Sequence, residues 1–158
     1  MSTRIVVADQ AEARIYDLKR PAAPMSLVRQ LNNPAGRLHD RDLKSDRPGR
    51  VFDRAPSVRG RRGAIPHHAT GGERSPRRIA AQRFARVIAK DLDRGLRKRE
   101  FDRLAIVAGQ PFRGILIAAL SKSLKVSVTA VVAKDLVHQS ERKLREHLAR
   151  RAGSALER

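Results

Sequence analysis

Three short runs of aliphatic and β-branched residues constrain this chain more than anything else in it: TRIVVA at 3–8, LAIVA at 104–108 and VSVTAVVA at 126–133. Runs this short and this apolar read as strands buried on both faces. Between the second and third lies PFRGILIAAL at 111–120, a helix opened by Pro111. Strand, helix, strand at that spacing is a parallel pairing made by a crossover. The first run has a different sequel. Glu12 to Lys19 alternates, with Ala13 and Ile15 on one face and Arg14, Tyr16 and Leu18 on the other. Asp9-Gln10 punctuates the step between the two runs, as in an antiparallel hairpin. Met25 to Leu31 reads as a third strand after breaks at Pro21 and Pro24.

Ser75-Pro76 is a helix start, with Ser as cap and Pro in the first turn. From there to about Arg99 the period is helical, and Ala80, Phe84, Val87, Ile88, Leu92 and Leu96 should face the core. Ser140 caps a last helix that turns Leu144 and Leu148 inward, with Glu141–Arg145 and Glu146–Arg150 as supporting pairs. The sequence therefore predicts an α/β fold: a mixed five-stranded sheet flanked by helices, antiparallel at its start and parallel afterwards. The expected organisation is a single domain over residues 1–152. A long basic loop at 33–74 interrupts it, mobile above all between Ala55 and Gly72, and a frayed tail follows at 153–158.

Charge is the second constraint. The 158 residues carry 35 Lys+Arg against 16 Asp+Glu, a net charge of +19, and 27 of the cations are arginine. Such a surplus favours a polyanionic partner, RNA or DNA, or an anionic membrane surface. Guanidinium forks suit phosphate oxygens. The alternative is a solvated basic surface with no specific partner. With no cysteine, disulfides, thiol nucleophiles and cysteine-based zinc sites are excluded. No run is long enough for a membrane span, and the start lacks a long apolar export segment, so the expectation is an intracellular, cytoplasmic protein.

The basic residues fall in two places. In NNPAGRLHDRDLKSDRPGRVFD at 32–53, Arg37, Arg41, Arg47, Arg50 and, just beyond, Arg54 alternate with Asp40, Asp42, Asp46 and Asp53. This is either a loop knitted by Asp–Arg pairs or a phosphate-binding surface whose aspartates orient the arginines. The second place is the outer face of the long helix, where Arg83, Arg86, Lys90, Arg94 and Arg97 recur at three- and four-residue steps. Asp91 and Asp93 stand beside that line and could neutralise part of it. No motif singles out catalytic residues. His39-Asp40 are adjacent and poorly placed to share a proton. Asp9, Asp40, Asp42 and Asp46 have no ligand spacing, His67-His68 lack a third ligand, and no phosphate loop or dinucleotide fingerprint is present. No metal and no cofactor are expected.

Taken together, VVADQAEARIYDL at 6–18, NPAGRLHDRDLKSDRPGRVFD at 33–53, RFARVIAKDL at 83–92, FDRLAIVAGQPFRGILIAAL at 101–120 and VVAKDL at 131–136 resemble the bacterial host attachment protein family. The run at 33–53 is the most specific part, with Asn33, Gly36, His39, Asp40, Asp46, Pro48 and Gly49 as its motif residues. That family is similar to the central domain of archaeo-eukaryotic peptide-chain release factors and their ribosome-rescue relatives. The resemblance implies a ribonuclease-H-like or ribosomal-protein-like topology, a ribosomal setting, and RNA (ribosomal RNA or tRNA) or the ribosome as partner. Release factors carry a Gly-Gly-Gln loop ahead of a long helix. Here that place reads Gly71-Gly72-Glu73, without the glutamine. The expectation is a non-enzymatic RNA-binding module. Its rivals are a hydrolase of peptidyl-tRNA or RNA using Glu73 or His39, and the adhesion role that the family name suggests.

Overall fold

The computed structural model describes residues 2–20, 23–38 and 75–157. Strands β1 (Thr3–Ala8), β2 (Glu12–Leu18), β3 (Ser26–Asn32), β4 (Arg103–Ala108) and β5 (Val128–Val132) form one sheet in the order β3-β2-β1-β4-β5. β1 pairs antiparallel with β2 and β2 antiparallel with β3, while β1–β4 and β4–β5 are parallel. The mixed α/β sheet expected from the sequence is thus the observed one. Among the described residues four helices flank it: α1 (Pro76–Arg97), α2 (Phe112–Ala119), α3 (Lys122–Ser127) and α4 (Glu141–Glu157). A short 3-10 turn, Pro34–Arg37, follows β3.

β1 is central and covered on both sides, so all its residues are buried. Val6, Ala8, Ala13, Ile15, Leu104 and Ile106 face α1, α2 and α3. Ile5, Val7, Tyr16, Leu18, Ala105 and Val107 face Leu144 and Leu148 of α4. Ile88 and Leu92, at the centre of the α1 stripe, are fully buried. Truncating either to Ala should cost about 2–5 kcal/mol.

α1 begins as its sequence dictates. The Ser75 hydroxyl accepts the Arg78 N–H at 3.2 Å, with Pro76 in the first turn. Its buried stripe, however, runs along Ala81, Phe84, Ala85, Ile88, Ala89, Leu92 and Gly95. Val87, expected in the core, is 51% exposed, and Ala80 is only partly buried. At about 100° per residue, small alanines fill the flank of the stripe nearest the sheet and leave Val87 outside it. The helix ends where Arg99 adopts φ 56° and Glu100 N–H returns to the Gly95 carbonyl at 3.0 Å.

A second departure lies in the last apolar run. Residues 126 and 127 are not strand but the end of α3, capped by Ser121, whose hydroxyl accepts the Leu124 N–H at 3.2 Å. Burial of Leu124 fixes this turn, Val126 is left 87% exposed, and β5 starts only at Val128. In α4, Arg142 and Glu146 form an i,i+4 pair at 3.8 Å. The helical backbone runs to Glu157. Among the described residues β3 pairs only with β2 and lies exposed at the sheet edge, with Leu27 at 53% and Val28 at 44%.

The amino-terminal ends of β1 and β4 are tied by a charged cluster. Arg4, 3% exposed, reaches both carboxylate oxygens of Asp17 at 2.8 and 3.0 Å and Glu100 Oε2 at 3.0 Å. Its guanidinium lies 4.6 Å from the Phe101 ring centroid. Gly95 is required here, because a Cβ would strike the Arg4 guanidinium. No helix among the described residues is long and apolar enough to cross a membrane.

Candidate nucleic-acid interface

The first residues of the basic motif form a clamp. Asn33 Nδ2 donates to the Gln10 carbonyl at 2.8 Å, and Asn33 N–H donates to the Ala11 carbonyl at 2.7 Å. Gly36 N–H donates back to the Asn33 carbonyl at 3.0 Å. Gly36 is pressed so closely onto the β1–β2 turn that any Cβ would overlap the Gln10 carbonyl. The turn beneath is itself rigid, since Asp9 Oδ1 accepts the N–H groups of Ala11 and Glu12, both at 2.7 Å. Asn33 and Gly36 are therefore structural.

Arg37 comes next and leans on Glu12. That carboxylate, 4% exposed, accepts from Arg14 Nε at 2.7 Å and Gln30 Nε2 at 3.0 Å, with the Arg37 guanidinium at 3.8 Å. The hydrogen bond and charge of Glu12 hold the Arg14 guanidinium above its usual range despite slight burial. Arg37 remains 67% exposed and keeps most of its donors for solvent or a ligand. Arg41, Arg47, Arg50 and Arg54, with His39, Asp40, Asp46, Pro48 and Gly49, lie outside the described residues, as do His67-His68 and Gly71-Gly72-Glu73.

The helix stripe is fully described. Arg83, Arg86, Lys90 and Arg97 are all exposed, as is Arg94 on the same face. The two aspartates that could have neutralised them are engaged elsewhere. Asp91 pairs with Arg29 of β3, and Asp93 accepts the Ser121 hydroxyl at 2.6 Å. Among the described residues, no ion pair reaches Arg83, Arg86, Lys90 or Arg97. Among the described residues the stripe is consequently an uncompensated line of charge on a well-packed helix. No group of three or more His, Asp or Glu able to hold a metal exists among the described residues.

Sequence reasoning missed a cleft of about 660 Å³ at the carboxyl ends of β1 and β4. Residues near 9, 78, 110, 114 and 135 meet there, too far apart in the chain for any local motif to join them. Only the strand order could have pointed to it.

The comparisons with known proteins bear on the whole chain. The family model described as "Protein required for attachment to host cells" matches residues 4–148. The chain belongs to this host attachment family. No curated protein matches the sequence. A solved structure titled "Archaeal protein" aligns over 99% of this chain, at 12% identity and a TM-score of 0.44. The chain spans 38% of that protein's length.

Proposed function

We propose that this host attachment family member is a non-enzymatic RNA-binding module that docks on ribosomal RNA or tRNA in the cytoplasm, mainly through phosphate contacts. The observation that carries the reading is the α1 stripe. Four cations stand on one helix face without an ion pair among the described residues. A merely solvated face in a chain that also holds acidic residues would be expected to use them, whereas Asp91 and Asp93 are turned away. Arg37 adds a cation held in place by Glu12. The scarcity of aromatic residues argues against base stacking and for low sequence preference. The strand order is compatible with the ribonuclease-H-like topology and the release-factor relationship that the sequence resemblance implies.

The test is a sucrose gradient of the tagged protein in lysate of its own host, at low and moderate salt, paired with filter binding to purified ribosomal RNA. Co-migration with ribosomes that fades with salt is expected. Replacing Arg83, Arg86, Lys90 and Arg97 together with Ala should flatten the log–log salt slope by about 3, at about 0.7–0.9 for each phosphate no longer neutralised. A protein that stays at the top of both gradients and binds RNA without salt dependence overturns the reading. Recovery in the outer-surface fraction would instead favour the adhesion role named by the family description.

A further inference from the structure

The sheet changes direction between β1 and β4. From β1 the chain steps to β2 and β3 on one side, and the parallel additions β4 and β5 lie on the other. In open α/β sheets, such a switch leaves a crevice outside the carboxyl ends of the adjoining strands, and ligands bind there. The cleft of about 660 Å³ occupies that position, within the size range of small-molecule sites.

Its walls are chemically unlike. Arg78, in the first turn of α1, and Asp135, beyond β5, both line it. Both are exposed, and neither side chain has a hydrogen bond or ion pair among the described residues. Gly109 eases this placement, because a Cβ there would approach the Asp135 Cβ to 3.3 Å, a tight contact. Gln110 contributes an amide and Ile115 an apolar edge.

Gly114 is the most informative residue in the cleft. Gly36 and Gly95 are demanded by close packing, but among the described residues a Cβ on Gly114 would meet nothing nearer than Gln110 Oε1 at 3.9 Å. Within a helix of eight residues, this glycine forfeits about 1 kcal/mol relative to Ala without a packing reason. What it preserves is room in the cleft.

We infer that the cleft binds a nucleoside phosphate. Arg78 takes the phosphate as a charge-assisted donor, Asp135 accepts from sugar hydroxyls, and the heterocycle lies over Gly114 against Ile115. The inference is independent of the RNA reading above, since it uses none of the stripe residues. The same chemistry is offered by a free nucleotide and by the phosphorylated end of an RNA strand.

Calorimetric titration of the full chain decides it. The probes are nucleoside mono-, di- and triphosphates, the matching nucleosides, ribose 5-phosphate, inorganic phosphate and a 5′-phosphorylated dinucleotide. Saturable binding of at least one nucleotide is expected, about ten-fold or more tighter than its nucleoside, as one charge-assisted hydrogen bond provides. Arg78→Ala should remove that preference. Gly114→Leu should abolish binding with the melting temperature retained, and Asp135→Asn should weaken it in a second fold-neutral background. Equal binding of the dinucleotide assigns the site to an RNA end, and its failure beside a bound mononucleotide assigns a free nucleotide. Absence of saturable binding by every nucleotide overturns the inference. So does inorganic phosphate or ribose 5-phosphate binding as tightly as the nucleotides, or indifference to both Arg78→Ala and Gly114→Leu.

Discussion

The two ends of the sheet treat charge in opposite ways. At the amino-terminal ends of β1 and β4, Arg4 is buried and every side of it is matched, by Asp17, Glu100 and the Phe101 ring. At the carboxyl ends, Arg78 and Asp135 stand exposed in a cleft without partners among the described residues. Burial alone would pull the Arg4 guanidinium down, but the hydrogen bonds and charges of Asp17 and Glu100 outweigh it and hold it above the usual range. A matched charge is part of the architecture, and an unmatched one is available to something else. The same criterion separates Arg14, tied to Glu12, from the α1 stripe.

The largest expected effect comes from breaking the matched end. Arg4→Leu strands the partly buried Asp17 carboxylate, while the exposed Glu100 returns to solvent, and should destabilise the fold by about 2–3 kcal/mol in chemical denaturation. The pH dependence follows from the raised guanidinium. Its contribution is complete below the unfolded-state value and lost only as pH rises through the higher folded value. The Arg4→Leu penalty should therefore not decay through deprotonation of Arg4 between about pH 6 and pH 10. A penalty that vanished toward pH 10 would show that the cluster does not hold Arg4 as described.

Glycines sharpen the comparison. Gly36→Ala forces a Cβ into the Gln10 carbonyl and should cost about 1–3 kcal/mol. Gly114→Ala meets open space and should stabilise by about 0.5–1 kcal/mol. Thermal melts of the two variants moving in the same direction would erase the distinction. The smallest effect belongs to Arg99→Gly, which relieves a left-handed residue at the end of α1 and should gain about 1 kcal/mol or less.

These contrasts explain what could be read from the sequence. β1, β4 and the start of α1 were legible because apolar runs and a Ser-Pro cap are local signals. The α3–β5 boundary was hidden because VSVTAVVA is apolar throughout, and only Ser121 and the burial of Leu124 divide it. Val87 was misplaced because the alanines of α1 contribute as much to its buried stripe as the larger residues do. The stripe itself was legible from spacing, but its lack of compensation among the described residues was not, since Asp91 and Asp93 find their partners on Arg29 and Ser121. The Asn33–Gln10 clamp and the cleft join residues distant in sequence, and no local pattern carries that information.

The exposed edge at β3 has a consequence for solution behaviour. Among the described residues its outer backbone groups, beside Leu27 and Val28, have no strand partner, and such a surface invites a neighbouring strand. A charge of +19 keeps two such edges apart by mutual repulsion. Any polyanion that neutralises this charge also removes the repulsion. Polyanion addition and assembly into larger particles are thus coupled through colloidal stability, and clustering should be strongest where the added charge balances that of the protein.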